Sequence, residues 1–467
     1  MSGETRSNVP IRQRFHALME RNFTTSTMSL QQVIAIFIPI LLDCSLVSLL
    51  SVFNSSMVSS SGAEAVAAVN MVDSLNMFLM NFFMAVATGG TVVVAQYWGR
   101  RETDKASESM GQAISGATLI ALFIVVFILL FRDQTLGLLF GDAEPAVMEN
   151  ARTYLTGACL SYPFFAIYQA VTGALRGSGD TKAAMVLSVM MNVVYLLFNV
   201  VFINWLHMGV LGLVISLNLA RGIFSILALL YVFVLRRDLG MKLSHILKLN
   251  LRIQKSILYI GIPAALEQIF FNGGKILTQT FIVSLGITSM TSNAIAGSLS
   301  GLLYIPTNAM GMAVITCVGQ CIGAQRPDEA KKYIRSFVYG SAALEVIFML
   351  IFFPLFPLLL NMYNPPAECV SMIYWLLIIC AVGLPTIWPI SNIVPSALRA
   401  AGDAKFTSFV SLGCMWLFRV VMGYVMGIML GWDIYGVWIA MVLEWGIRGV
   451  IFSIRKRGTK WYAHKLI

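Results

Sequence analysis

The stretch Leu30-Gln-Gln-Val-Ile-Ala-Ile-Phe-Ile-Pro39, followed at a distance of four residues by Asp43, decides the fold. Its apolar start is typical of a helix that enters a lipid bilayer. A proline inside such a helix frees backbone carbonyl groups, which are tolerated only against protein or water. A carboxylate at membrane depth is costly and normally faces a cavity, so Asp43 is a candidate functional residue.

The same arrangement returns in the second half of the chain as Gly261-Ile-Pro263-Ala-Ala-Leu-Glu267. Again a carboxylate follows a proline by four residues, and both pairs of equivalent positions are 224 residues apart. The sequence therefore predicts two related halves, each of which directs one acid toward a shared space.

Composition places the chain among helical membrane proteins. Of its 467 residues, 58% are hydrophobic and 12% are charged, and a soluble protein of this length could not bury so much apolar surface. The net charge of +10 does not indicate a nucleic-acid partner, because the basic residues occur in short runs between apolar segments. Small-molecule substrate and lipid bilayer are the expected partners, and a monomer is the expected assembly.

Twelve apolar segments have the length that a bilayer requires. We predict an all-α polytopic membrane protein whose spans lie near 30–58, 64–98, 107–131, 147–176, 183–205, 209–235, 255–285, 291–322, 333–361, 368–398, 405–430 and 434–454.

Loop charges predict the orientation of these spans. The amino terminus, every second loop and the carboxy-terminal tail hold 26 of the 32 basic residues. Because basic loops remain in the cytoplasm, both termini are predicted to be cytoplasmic in a multi-pass protein of the cell membrane. No cleavable signal peptide is expected, since the first residues are polar and the first span is long.

The duplication extends beyond the first span of each half. Gln96-Tyr-Trp-Gly99 recurs as Gln320-Cys-Ile-Gly323, and Ala174-Leu-Arg176-Gly-Ser-Gly179-Asp180 recurs as Ala397-Leu-Arg399-Ala-Ala-Gly402-Asp403. Each half has six spans, so the halves share one orientation and form parallel repeats, with a substrate site expected between them. The predicted domains are an amino-terminal lobe of residues 1–235, a cytoplasmic linker of residues 236–254 and a carboxy-terminal lobe of residues 255–467.

These repeated motifs, together with Gly62-Ala-Glu64-Ala-Val-Ala-Ala and Trp416-Leu-Phe-Arg419, resemble the multidrug and toxic compound extrusion (MATE) family of secondary transporters. The resemblance covers nearly the whole chain and its twelve-span, two-lobe order. It implies an antiporter that exports small organic, often cationic or amphipathic compounds in exchange for Na⁺ or H⁺ by alternating access.

One departure from the family pattern concerns the amino-terminal lobe. Many prokaryotic members carry an aspartate late in the first span and another in the fifth, where the coupling cation is thought to bind. The corresponding positions here are Asn54 and Asn199. An amide can offer an oxygen to Na⁺ but cannot titrate. We expect both to face the lobe interior with Asn192 and Tyr195, which share a helical face with Asn199.

The candidates for cation coupling or substrate binding are therefore Asp43 and Glu267, with Lys275 as a complication. The carboxylates could instead hold helices together. Lys275 lies two helical turns beyond Glu267, so it could pair with either acid or extend toward the membrane surface. The pair Glu444 and Arg448, spaced i and i+4, is expected to be structural, as is Arg419.

Two other functions compete with export. A lipid-linked oligosaccharide flippase of the same superfamily ranks lower, because those proteins tend to have extra spans and a strongly basic cavity. An intramembrane enzyme is disfavoured, since no histidine-rich or nucleophile–base pattern occurs at membrane depth. No catalytic residue, metal site or cofactor is expected beyond the transported cation. Cys317 and Cys321 share a helical face without a nearby histidine or acid, and packing is favoured over metal binding there.

Overall fold

The computed structural model describes residues 11–58, 63–141, 144–464 and 466–467, with the side chains of 11–12, 14–15, 51–58, 63–66 and 139–140 outside that description. The described chain is helical and contains no strand. Its α-helices are α1 Ile11–Phe23, α2 Leu30–Val58, α3 Ala63–Gly99, α4 Thr103–Leu130, α5 Arg132–Phe140, α6 Pro145–Gly177, α7 Thr181–Asn199, α8 Gly209–Leu230, α9 Leu243–Leu247, α10 Leu251–Ser284, α11 Ile287–Leu303, α12 Ile305–Gly323, α13 Pro327–Tyr363, α14 Ala367–Thr386, α15 Trp388–Ala400, α16 Ala404–Cys414, α17 Met422–Tyr424 and α18 Asp433–Arg457.

Four wider π-helical segments extend or interrupt three of the spans. Val200–Trp205 continues α7, Tyr231–Leu235 continues α8, and Met415–Val421 and Val425–Met429 flank α17. Such turns occur often at functional sites, and here they lie in the fifth, sixth and eleventh predicted spans.

Eleven of the described helical segments are long and apolar enough to cross a membrane. The seventh predicted span, α10, has 34 residues but carries Glu267 and Lys275, which make it less apolar. The eighth and tenth predicted spans are each divided into two helices. The divisions fall beside Pro306 and Pro389, because proline cannot donate to the helical hydrogen-bond ladder. The prediction of a twelve-span helical protein is confirmed.

The two lobes meet at the helix ends that adjoin the linker and the carboxy-terminal tail, which we call the basic face. There Gly99 of α3 lies against α12, and a Cβ atom at Gly99 would be 2.1 Å from the carbonyl oxygen of Gln320. In the equivalent contact, a Cβ atom at Gly323 would be 1.9 Å from the carbonyl oxygen of Gln96. Only glycine allows the backbones to approach so closely.

Two matching hydrogen bonds reinforce this contact. The side-chain amide of Gln96 donates to the carbonyl oxygen of Ala400 at 2.8 Å, and that of Gln320 donates to the carbonyl oxygen of Gly177 at 3.0 Å. Each glutamine thus binds the turn that ends the fourth span of the opposite half. The repeated sequence motifs are therefore the residues that join the lobes.

The amino-terminal helix crosses to the second half. Ser336 of α13 donates to the carbonyl oxygen of Asn22 at 2.7 Å, the Thr27 amide donates to Glu329 at 3.0 Å, and Phe23 packs edge-on against Phe337. The lobe boundaries stay a prediction, but α1 is held by the carboxy-terminal half.

Candidate functional site

Asp43 is buried in α2 and forms an ion pair with Arg176. Arg176 lies in the last turn of α6, and its Nη2 atom is 3.3 Å from Oδ2 of Asp43. The turn after α6 is fixed to α2 because Thr181 donates to the carbonyl oxygen of Ala35 at 2.9 Å. Asp43 lies eight residues beyond Ala35, which corresponds to about 12 Å along the helix. The arginine therefore extends from the basic face toward a carboxylate at membrane depth.

Glu267 has the equivalent partner in the second half. Nη2 of Arg399, in the last turn of α15, is 3.0 Å from Oε1 of Glu267, and Ser408 donates to Oε2 at 3.0 Å. Charge-assisted hydrogen bonds of this kind offset the loss of hydration that a buried carboxylate suffers. Each predicted acid is thus paired with the arginine of its own half.

Sequence reasoning missed these two arginines, because Arg176 and Arg399 were interpreted as orientation signals in loops. The signal was present. Both halves keep an acid after the proline and an arginine before the Gly-Asp turn. The retention of both charges in each repeat predicts an ion pair.

The aspartates of the Gly-Asp turns also bind arginines. Asp180 accepts from the Ala183 amide at 3.3 Å as an N-cap, and it also pairs with Arg236. Asp403 makes no such cap and pairs with Arg455 at 2.7 Å.

A cavity of about 460 Å³ adjoins Asp43 and receives side chains from both halves of the chain. From the amino-terminal half it is lined by Asp43, Arg176, Arg221, Asn192 and several aromatic and methionine side chains. The second half contributes Gly301, Ile305, Asn308 and Met312. Such a mixed lining of apolar surface and few polar groups is typical of small-molecule sites.

The structure brings most of the predicted amino-lobe residues together. Asn192 and Tyr195 line the cavity with Asp43, and the fully buried Asn199 lies one helical turn beyond Tyr195 on α7. The side chain of Asn54 lies outside the described residues. Their roles in binding stay predictions.

Arg221 of α8 also faces this cavity and had no place in the sequence interpretation. Its Nη1 donates to Ser161 at 2.6 Å, Nη2 lies 3.6 Å from the sulfur of Met80, and the guanidinium is 4.7 Å from the ring centre of Phe165. A single arginine in the middle of an apolar span is itself the signal that could have identified it.

Asp73 of α3 lies behind the cavity wall and is held by neutral donors. Its Oδ1 accepts from the hydroxyl of Tyr154 at 2.7 Å and from the amide of Asn76 at 3.1 Å. Within the described part of the chain, Asp73 has no basic side chain at salt-bridge distance.

Lys275 pairs with neither predicted acid in the described structure. Its ammonium group is 5.0 Å from the ring centre of Phe271, and the guanidinium of Arg419 is 5.6 Å from that same ring. The oxygens of Glu267 are instead occupied by Arg399 and Ser408.

Glu444 and Arg448 form the expected i, i+4 ion pair, with 3.1 Å between Oε1 and Nη1. Arg419 approaches the same carboxylate at 4.0 Å, and Arg448 donates to Ser391 at 2.7 Å. Glu444 is fully buried, so two arginines share one carboxylate inside the carboxy-terminal lobe.

Glu345 differs from the other buried acids. It is fully buried, and its Oε1 accepts from Thr307, whose hydroxyl is 2.6 Å from that of Ser341. Among the described residues its Oε2 has no hydrogen-bond partner and no basic side chain is within salt-bridge distance.

The described residues contain no group of three or more potential metal ligands, and Cys317 and Cys321 are buried in helix packing.

The sequence is similar to a known protein family and to individual relatives. The MatE family model matches twice, over residues 39–201 and 263–425, which is the duplication read from the sequence. The uncharacterized transporter YisQ of Bacillus subtilis is 27% identical over 91% of this chain and 93% of its own, and a probable multidrug resistance protein NorM of Thermotoga maritima is 22% identical over 85% and 86%.

Solved structures share the fold. A MATE crystal structure in the bent conformation has a TM-score of 0.84 at 18% identity, covering 91% of this chain and 94% of its own. An outward-facing multidrug resistance MATE family transporter of the MOP superfamily has a TM-score of 0.83 at 18% identity, with the same coverage. With the family model matched in both halves and the helical architecture shared throughout, this chain belongs to the MatE family of multidrug efflux transporters.

Proposed function

We propose that the protein is a secondary active antiporter that exports small amphipathic organic compounds in exchange for Na⁺ or H⁺. The observation that carries this proposal is the cavity beside Asp43, which both halves line and which holds a buried ion pair. A site between two repeats suits alternating access, because movement of one lobe against the other changes which side the site faces.

The contact at the basic face corresponds to the state in which the cavity is closed on the side of that face. Gly99 and Gly323 pack against the opposite half there. A surface depression of about 920 Å³ lies over this contact and is lined in part by Gly99, Gln320 and Gly323. If the basic face is cytoplasmic, as loop charges predict, this arrangement closes the cavity from the cytoplasm. Separation of the two glutamine–turn hydrogen bonds would open it.

Asp43 and Glu267 are the proposed coupling groups. In the present state each carboxylate is neutralised by an arginine. A cation that enters in another state can replace that arginine, and the freed arginine then changes the charge of the cavity. Export driven by a gradient needs such an exchange, since a cation shifts a conformational equilibrium only by binding one state more tightly than the other.

Proteoliposomes provide the test. Movement of fluorescein and of rhodamine 6G is measured while pH and Na⁺ gradients are imposed one at a time. We expect one gradient to accelerate the movement of at least one dye, relative to liposomes without protein. Dye movement that neither gradient alters would contradict the proposal.

A further inference from the structure

The cavity beside Asp43 has an excess of positive charge. Three charged side chains line it, namely Asp43, Arg176 and Arg221. Asp43 and Arg176 neutralise one another at 3.3 Å. Arg221 therefore leaves the lining with one net positive charge.

The contacts of Arg221 are all with neutral groups. The hydroxyl of Ser161, the sulfur of Met80 and the ring of Phe165 surround it. Asp73 is the acid in its vicinity, and its described donors, the hydroxyl of Tyr154 and the amide of Asn76, are neutral and do not offset its charge. Among the described residues, however, no carboxylate lies within salt-bridge distance of Arg221. A guanidinium has five N–H donors, and the protein bonds above use two of its nitrogens.

The remaining walls suit an aromatic molecule with a polar group. Phe165, Tyr168 and Tyr195 present aromatic surface, and Asn192 and Asn308 present amides, all within the same cavity. Aromatic faces bind flat apolar rings, and a guanidinium binds carboxylate, sulfonate or phosphate groups with directed, charge-assisted hydrogen bonds.

Asp43 is the one carboxylate in the described lining, and it is already paired with Arg176, so an anion near Arg221 meets no unpaired negative side chain there. Asn199, which is fully buried one helical turn beyond Tyr195, supplies an uncharged amide where the family resemblance implies a carboxylate. An aspartate there would bring a negative charge next to the aromatic wall, and it would disfavour a bound anion.

We propose that the transported compound is an amphipathic organic anion whose acidic group binds Arg221 while its rings pack against Phe165 and Tyr195. This inference rests on the proposed export function and reverses the sequence-based expectation of cationic substrates. Arg176 binds Oδ2 of Asp43, so a cationic substrate in this state would have to share the only carboxylate of the described lining with that arginine.

Binding of two dyes that share a xanthene scaffold tests the charge preference directly. Fluorescein is anionic and rhodamine 6G is cationic at neutral pH. Fluorescence anisotropy with the purified full chain in a neutral detergent is expected to give at least tenfold tighter binding of fluorescein. Equal binding of the two dyes, or tighter binding of rhodamine 6G, would overturn the inference.

Variants at one position then assign the preference to Arg221. Arg221→Met keeps the length of the side chain and removes its charge, and it should weaken fluorescein binding roughly tenfold or more, as expected for loss of a charged hydrogen-bond donor. Arg221→Lys keeps the charge and should retain part of the preference. Arg237→Met removes the same charge from an exposed linker position and should change nothing.

Fluorescein binding that Arg221→Met leaves unchanged, in a variant that elutes as folded protein, would overturn the assignment. The dye comparison on the unmodified protein needs no variant, so a variant that fails to fold leaves that test intact. Transport separates the two proposals. Selective fluorescein binding without gradient-driven movement of either dye would contradict antiport, whereas gradient-driven movement of rhodamine 6G alone would contradict the anionic substrate.

Discussion

The two lobes are alike at the basic face and different in their interiors. Both keep an acid–arginine pair at equivalent positions, Asp43 with Arg176 and Glu267 with Arg399, and both keep a glutamine that binds the opposite half. The amino-terminal interior then surrounds the lone Arg221 with tyrosines and amides, whereas in the carboxy-terminal interior two arginines share Glu444.

This difference distinguishes the residues that join the lobes from the residues that determine the chemistry of each lobe interior. Contacts that join the lobes must fit each other across the repeat axis, so a change in one half requires a matching change in the other. Interior residues have no such constraint, and there each half can acquire its own charges. We therefore expect the matched glutamines to hold the lobe contact, the matched ion pairs to govern state changes, and the unmatched interiors to determine selectivity.

The largest effect is expected in the carboxy-terminal interior. Glu444→Gln strands Arg448 and Arg419 inside the lobe, and loss of one partner from a buried ion pair costs about 3–5 kcal/mol. Glu345→Gln strands no basic side chain among those described, so it should cost less than about 1 kcal/mol. Thermal unfolding in detergent, followed with a thiol-reactive dye that reports the buried cysteines, measures both. Equal destabilisation by the two variants would show that Glu444 is not the shared counter-ion.

The matched ion pairs should respond alike. Asp43→Asn leaves Arg176 without its carboxylate, and Glu267→Gln does the same to Arg399. Because these arginines are partly exposed, each substitution should lower the free energy of unfolding by about 2 kcal/mol. Removal of the arginine as well, in Asp43→Asn/Arg176→Met and Glu267→Gln/Arg399→Met, should recover most of the loss. Glu267→Gln/Lys275→Met should not, because Lys275 is no partner of Glu267 in the described structure. Rescue by Lys275→Met would contradict the observed pairing.

Crowding at the lobe contact should have an effect of similar or smaller size. Gly323→Ala places a Cβ atom 1.9 Å from the carbonyl oxygen of Gln96, so the lobes must separate, at a cost of about 1–3 kcal/mol for this state. Gly413→Ala is the matched control, because a Cβ atom there would have no neighbour within 4 Å. The midpoint of thermal unfolding should fall for Gly323→Ala and not for Gly413→Ala. A Gly323→Ala protein as stable as the control would place the lobes farther apart than described.

The smallest predicted effect distinguishes the two Gly-Asp turns. Asp180→Ala removes an N-cap, a hydrogen bond from Tyr231 and the Arg236 ion pair. Asp403→Ala removes the Arg455 ion pair with its two hydrogen bonds and the contact with His464, without a cap. A cap contributes about 1 kcal/mol, so Asp180→Ala should be the more destabilising by roughly that amount. A larger loss for Asp403→Ala would show that burial of its ion pair outweighs the cap.

The sequence predicted the fold well because its signals are local and repeated. Spans follow from runs of apolar residues, and the 224-residue offset of Pro39 and Pro263 revealed the duplication. The breaks beside Pro306 and Pro389 were missed, since a proline in an apolar run is compatible with either a bend or two helices.

The site was predicted less completely, because pairing depends on helices that are distant in sequence. Asp43 was found from its cost at membrane depth, but its partner lies 133 residues away on α6. Arg221 was overlooked because an isolated basic residue has no repeated counterpart, and its cavity is formed only when helices of both halves pack together. Periodicity identifies the face of a helix, but it does not identify the neighbour of that face.

Gradient-driven dye transport by the Asp43→Asn/Arg176→Met variant tests the central claim most directly. The unmodified protein should move fluorescein faster in proteoliposomes when the coupling gradient is imposed. The variant, which lacks the pair without stranding an arginine, should move the dye at the same rate with and without the gradient. A full gradient response in this variant would contradict the claim that the Asp43 ion pair couples cation entry to export.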